Sequence, residues 1–494
     1  MKKYITVLLF VSLFFSCSQD FLEEDPRGQL TTKGFFQNGQ DLELGLRALY
    51  SQVNVIFNAT QSCTALMGAD DITTRTGSNK GPYREYDTFN ATNTNPWVYY
   101  HLPYNAILAA NNIIVNYESA VKATEEERKL AAGQAYFMRA LSYFWLVRVF
   151  NEIPLITALE VNYEAVKSSP QDIYALIVED LIKAEEFLPN SWTGIRKGVA
   201  PTKGSAKAQL ASVYLQMAGY PVKDVSKYAL AAQKAKEVID NAGVYGYRLL
   251  DNCADLWTPA QFNDEIVFGL FYDRNISPWT WENGNMWAPL GCKPEEEGGW
   301  DDYFAEINFF NKFPEGPRKD ATFQTVIRPD ENTTWHWTEA VQKHPYYKKM
   351  QQMEGYDAAK PWEYLDWWSS RTNMVIRYAE VLLIYAEAQA MSANPDASAY
   401  DALNAVRKRA GLENMTAGLS QLAFRDSVVM ERAWEFAGAE INPARWYDLV
   451  RLERVEEAAK DRHPSELPIL NPPTKDDYFA PIPISEILIN PNLK

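Results

Sequence analysis

Between residues 272 and 300 the chain gathers Tyr272, Trp279, Trp281, Trp287 and Trp300, with Asn275, Glu282, Asn283 and Asn285 interleaved. A sugar ring stacks its apolar C–H faces on aromatic rings, and its hydroxyls need amide or carboxylate partners. These residue types in one short, loop-like stretch therefore match a glycan site. The competing reading is that the tryptophans pin the stretch to a scaffold. With 15 Trp and 28 Tyr in 494 residues, many must be core.

Other chemistries find less support. His101, His336, His344 and His463 are the full histidine set, and no two have metal-ligand spacing. No metal or cofactor is expected. Cys63, Cys253 and Cys292 lie in no CxxC; one disulfide or three buried thiols would both be compatible with them. Asp301 with Asp302, or Glu295 to Glu297, would supply a carboxylate pair, but sequence does not fix the separation glycoside hydrolysis needs. This acidic run reads as a solvated face. Glu431, Arg432, Trp434 and Glu435, with Arg445, Asp448 and Arg451, resemble a charged active centre. Their helical spacing argues instead for ion pairs that tie C-terminal helices to the scaffold.

The elements that must position these residues are mostly helices. Apolar periodicity predicts helices over 41–57, 97–117, 125–150, 170–188, 203–217 and 226–241, then over 377–391 and 397–410. Thr124 and Glu127 form a capping box, and Pro170 suits a first turn. Ala208, Ala211 and Tyr214 face Ala229, Ala232 and Ala235, small-against-aromatic packing that resembles a tetratricopeptide (TPR) helix pair. The expected fold is mainly α, a TPR-like helical-pair scaffold over 41–242 and 374–494. Residues 243–373, rich in Gly, Pro, Trp and Asn, form a large irregular insertion with a few short strands such as 265–272. Loops on a rigid scaffold commonly carry binding function. The tail from Leu467 is Pro-rich and extended.

At the start, Lys2 and Lys3 precede an apolar run from Ile5 to Phe15, then Ser16 and Cys17. This reads as a signal peptide over 1–16, too short to span a bilayer. Cys17 after the cut suggests a lipoprotein with acyl chains on that cysteine and a tether over 17–40; Phe14, where such signals usually have Leu, departs from the pattern. Simple secretion is the alternative. The net charge of −16, from 48 basic and 64 acidic residues, argues against a nucleic-acid partner.

Several segments together resemble one family. Tyr104, Ile107, Ala110 and Asn111 fit a YxxIxxAN pattern, and 133–156 reads GQAYFMRALSYFWLVRVFNEIPLI. Then come the helix from Gly204 to Leu215, Arg377-Tyr378-Ala379-Glu380, Leu403-Asn404-Ala405-Val406-Arg407, Arg409-Ala410-Gly411-Leu412 and Glu431-Arg432-Ala433-Trp434-Glu435-Phe436. Arg445-Trp446-Tyr447-Asp448-Leu449-Val450-Arg451 and the closing Asn490-Pro491-Asn492-Leu493 complete the set. In this order they resemble the SusD/RagB family of nutrient-binding outer-membrane lipoproteins. Residues 441–444 are a departure, longer than the family's usual link.

The resemblance implies one SusD-like domain over 41–494, without catalysis. It implies a surface-exposed, lipid-anchored protein of the outer membrane that captures oligosaccharide and delivers it to a SusC-like TonB-dependent transporter. Peptide or glycoprotein-derived ligands are the family's alternative. It also implies ligand contacts from the loop before the Tyr104 helix: Asp71, Arg75, Asn79 and Tyr83, with Trp97 as an aromatic platform. Arg75 would pair with a sugar carboxylate or with Asp71.

Overall fold

The computed structural model describes residues 32–494 apart from 59, 78–79, 161, 197, 259–261, 276–289, 352–353, 367–368, 439 and 441. The leader, Cys17, and the proposed site residues Asn79, Trp279, Trp281, Asn283 and Trp287 lie outside the described residues.

The scaffold is a file of helices in which each packs on the next. It runs α1 (Gly39–Asn58), the short α2 (Gly81–Asp87), α3 (His101–Asn116), α4 (Glu125–Phe150), α5 (Pro170–Phe187), α6 (Lys203–Ala218) and α7 (Lys227–Asp240). Then follow α8 (Tyr378–Ser392), α9 (Ala397–Arg409), α10 (Gln421–Glu435) and α11 (Arg445–Arg451). In space α1 lies on α3, α3 on α4, α4 on α5, α5 on α6, α6 on α7 and α7 on α8.

Local chemistry sets the ends. Thr124 and Glu127 close the expected capping box of α4, and three glutamates fill its first turn, where the helix dipole favours negative charge. Ser169 caps α5 ahead of Pro170. From Ala131 onward α4 is buried on nearly every side, which is what an all-round apolar helix requires. Polar motif residues lock this core. Arg139 makes two hydrogen bonds to the Asp180 carboxylate, at 2.8 and 2.7 Å, and a third to Asn111 Oδ1 at 2.7 Å. Asn111 in turn donates to the carbonyls of Ile156 and Ala158. The conspicuous Asn and Arg of the sequence motifs thus clamp α3, α4, α5 and the following loop together.

One boundary differs from the expectation. The 97–117 helix starts at His101, leaving Trp97 in a loop. Asn95 Oδ1 accepts from the Trp97 N–H at 3.0 Å, an Asx turn that holds the chain out of helix just before Pro96 and Trp97.

The insertion leaves after α7 and returns through β8 (Asn373–Arg377), which runs directly into α8. Its outgoing strand β2 (Ile266–Leu270) pairs antiparallel with β8, with a register irregularity around Phe268. Three two-stranded ribbons complete the described strands. β1 (Ile72–Thr73) pairs with β3 (Phe304–Ala305), β4 (Phe323–Gln324) with β7 (Tyr346–Tyr347), and β5 (Val326–Ile327) with β6 (Trp335–His336).

The charged C-terminal segment is a buried lattice of ion pairs. Glu435 meets Arg377, Arg409 and Arg318; Glu431 meets Arg318 and Arg407. Arg377 also reaches Glu265 and Glu440, so insertion and C-terminal helices share one network. Arg432 does not pair with Glu435, three residues on; it turns to Asp448, which also holds Arg451. The family departure at 441–444 is taken up by Asn442, whose carbonyl and side-chain oxygens receive Arg148 at 2.6 and 2.8 Å. The Arg148 guanidinium lies between the Phe144 and Tyr447 rings, 3.8 and 3.9 Å from their centroids. Cys63, Cys253 and Cys292 are buried thiols, none in a disulfide.

Candidate functional site

Two segments distant in sequence meet where β1 joins β3. Thr74 Oγ1 donates to the Asp302 carbonyl at 2.7 Å just beyond that ribbon. Asp87, buried and paired with Arg462, accepts from Thr73 Oγ1 and the Thr74 N–H. These bonds fix the 71–75 strand against residues 290–302.

The insertion side is a tight loop. Trp300 N–H donates to the Leu290 carbonyl at 2.8 Å. A Cβ at Gly299 would overlap the Lys293 carbonyl, so only glycine permits this closeness. The buried Lys293 ammonium donates to the carbonyls of Pro361 (2.7 Å) and Tyr364 (2.6 Å), and burial lowers its pKa to about 8. Asp301, with φ of 51°, accepts from the Tyr346 hydroxyl at 2.7 Å, the Glu295 N–H at 3.0 Å and Gln342 Nε2 at 3.1 Å.

On this frame sits a compact aromatic and charged cluster. Lys80, the residue before α2, places Nζ 5.4 Å from the Trp97 ring centroid and 5.6 Å from that of Trp300. The same nitrogen is 2.8 Å from Asp302 Oδ1. The Asp302 carboxyl is fully buried, and burial pushes its pKa up to about 6 against the opposing pull of Lys80. Tyr83 stands edge-on behind Trp97, with centroids 5.0 Å apart. Arg75 Nη1 is 2.9 Å from Glu295 and 3.6 Å from Asp301. Trp97 is half-buried and Trp300 is 37% exposed, so both offer ring surface to solvent. Both rings thus lie within 6 Å of one ammonium group.

The structure brings Trp97, Arg75 and Trp300 together and puts other expected residues behind them. Tyr83 is fully buried and buttresses Trp97 from within. Asp71 is 1% exposed; its carboxylate accepts from the Gly438 N–H at 2.9 Å. Burial, reinforced by Asp70, raises its pKa to about 6. Asp71 is thus a buried link to the C-terminal helices and not a surface contact. Tyr272 is buried too, its hydroxyl donating to the Asn54 carbonyl at 3.0 Å, on the β2 side of the insertion. Arg75 pairs with Glu295 and Asp301 and not with Asp71.

The acidic run is likewise corrected. Glu295 is solvated, but Asp301, Asp302 and Glu297 are fully buried, because Lys80, Tyr346, Gln324 and the Arg328 N–H await them. Lys80 and Asp302 were missed as site residues. A lone lysine in a polar loop carries no sequence signal until its two flanking rings are known. Among the described residues no group of His, Cys, Asp and Glu is arranged to hold a metal ion.

Residues 277–494 match the family model described as SusD family, and residues 20–215 match one described as starch-binding associating with outer membrane. SusD-like protein P2 of Formosa agariphila is 28% identical over 524 aligned residues, covering 100% of this chain and 99% of that protein. A SusD-like protein of Bacteroides ovatus is 26% identical, covering 91% of this chain and 82% of its own. Among solved structures, one described as a laminarin binding SusD-like protein superposes with a TM-score of 0.76 at 25% identity, covering 92% and 98% of the two chains. Another, solved with xylogluco-oligosaccharide, has the same fold with a TM-score of 0.74 at 22% identity, covering 92% and 98%. With both halves matched and relatives aligned along its length, the chain belongs to the SusD-like family.

Proposed function

We propose that this protein is a cell-surface glycan-binding lipoprotein that captures oligosaccharides and delivers them to a SusC-like TonB-dependent outer-membrane transporter. The observation that carries the binding step is the pair of rings, Trp97 and Trp300, both gathered within 6 Å of Lys80. Rings in fixed positions offer stacking surfaces to successive sugars at low entropic cost. The exposed Glu295 supplies an acceptor for hydroxyls nearby. Two proteins of the same fold support this reading, one described as laminarin binding and one solved with a xylogluco-oligosaccharide. In this reading Cys17 carries the acyl anchor that holds the protein on the outer membrane, and Asn79, Trp279, Trp281, Asn283 and Trp287 add ligand contacts.

We propose binding without catalysis. A glycosidase needs a pair of carboxyl groups that reach the scissile bond. Asp301 and Asp302, the nearest acidic pair, are buried and held by Tyr346, Gln342 and Lys80.

Calorimetry against neutral and acidic polysaccharides, with Trp97→Ala and Trp300→Ala as paired variants, tests the proposal. Each variant is expected to weaken binding at least tenfold while far-UV circular dichroism stays unchanged. Binding that survives both substitutions would move the site elsewhere. Copurification of a β-barrel with the lipidated protein tests the delivery step.

A further inference from the structure

We infer that the site is built for uncharged saccharides and turns acidic ones away, an inference that rests on the glycan-binding reading above. Arginine and lysine beside sugar-stacking rings would ordinarily suggest a uronate or sulfate ligand. Here the cations are already committed. Lys80 Nζ is 2.8 Å from the Asp302 carboxylate, which has no solvent exposure. Arg75 Nη1 is 2.9 Å from Glu295 and 3.6 Å from Asp301. Arg84, the third cation of the neighbourhood, turns its guanidinium to the carbonyls of Arg75 and Gly77.

Carboxylates outnumber these cations. Glu295, Asp301 and Asp302 are joined by Glu296, which accepts from the Val341 N–H, and by Glu85, which accepts from Asn95 Nδ2. The acids cannot swing aside to admit an anion. Asp301 is held by Tyr346, Gln342 and the Glu295 N–H, and Asp302 is buried against Lys80. An anionic sugar that took Lys80 from Asp302 would leave a buried carboxylate uncompensated, which costs more than the new pair returns. A neutral polyol meets no such cost, and its hydroxyls donate to the exposed Glu295 carboxylate. The two cations therefore hold the platform in shape and do not select negative charge.

The test uses the purified protein and two panels. Xyloglucan, mixed-linkage β-glucan, galactomannan and amylopectin are neutral; polygalacturonate, alginate and carrageenan are acidic. Binding is expected in the neutral panel. The neutral polysaccharide that binds is then oxidised at its C6 hydroxymethyl groups to carboxylates and titrated at 20 mM and 500 mM salt, probe conditions of about long and short screening length. At low salt the oxidised form is expected to bind about three- to tenfold more weakly, with the gap narrowing at high salt. Glu295→Gln, a change at an exposed side chain, is expected to narrow the gap too. Binding confined to acidic glycans, or an oxidised form that binds as tightly as its parent, overturns the inference. So does a gap indifferent to both salt and Glu295→Gln. Silence in both panels instead overturns the glycan reading itself, and this inference with it.

Discussion

Glu435 and Glu380 are both buried glutamates near Arg377, yet their amidation should move stability in opposite directions. Glu435 sits among three guanidinium groups, with contacts of 2.8 Å to Arg377, 2.5 Å to Arg409 and 3.1 Å to Arg318. Those cations hold its carboxyl far below the usual range despite burial. Glu435→Gln keeps the volume but removes the one charge the three arginines share. Breaking a buried pair from one side costs about 3–5 kcal/mol. The remaining contacts to Glu431, Glu265 and Glu440 put the expectation near the lower bound. Glu380 is 1% exposed, and neither carboxylate oxygen has a hydrogen-bond partner. Burial raises its pKa from 4.5 to about 7, with Arg432 and Arg148 only partly opposing. A carboxyl whose folded pKa is raised binds its proton more tightly when folded. Its penalty is complete above the folded value and vanishes below the unfolded one. At pH 8 that penalty is about 3 kcal/mol, falling to about 1 kcal/mol at pH 5. Glu380→Gln should therefore be neutral or stabilising at pH 8, with its advantage shrinking at pH 5. The Glu435→Gln deficit should be the same at both, because a depressed pKa gives stability that is lost only below about pH 4.5. Urea denaturation followed by tryptophan fluorescence and far-UV circular dichroism, at both pH values, measures this. Equal losses in the two variants, or a Glu380→Gln effect indifferent to pH, would refute the reasoning.

Further outcomes follow from the site and its frame. Lys80→Met leaves Asp302 buried without its cation, so the variant should lose about 2–4 kcal/mol at pH 8. Because the Asp302 pKa is already raised to about 6, protonation relieves that loss, and the deficit should shrink in denaturation curves at pH 5. Gly299→Ala forces a side chain into the Lys293 carbonyl; glycan affinity should fall at least tenfold while helix content measured by circular dichroism holds. Arg445→Ala strands Asp70 and removes a buried guanidinium that it holds at 2.8 and 2.9 Å. Expression and protease resistance should drop, where loss of ligand alone would leave both unchanged.

The helical file was legible because its signals are local. Thr124 with Glu127, Pro170 at a first turn and the alanine-rich faces of α6 and α7 each declare themselves within a few turns. The charged C-terminal segment was legible as structure, since Glu431 and Glu435 share a helix face; the identity of each partner was not, as Arg432 choosing Asp448 shows. The site was legible only in part. Trp97, Trp300 and Arg75 were named separately, but their meeting depends on two-residue strands that pair Ile72 with Ala305, too short to leave a periodic trace. Asp301 and Asp302 were misjudged for the same reason. Their burial is decided by Tyr346 and Lys80, which lie elsewhere in the sequence. Trp97 shows a smaller effect: one asparagine side chain ends the apolar pattern before the helix begins.

The clasp of β2 with β8 bears on how this chain can change over generations. Because α7 lies directly against α8, the helical file is continuous in space across a gap in the chain, and the paired strands seal that gap. Closing a longer flexible loop adds only about 0.6 kcal/mol per doubling of its length. Loops between the clasped strands can therefore lengthen or shorten while the helices keep their neighbours, provided that Arg318 stays in place for Glu431 and Glu435. Such a bracketed stretch can change the length of its loops without matching changes in the helices that flank it.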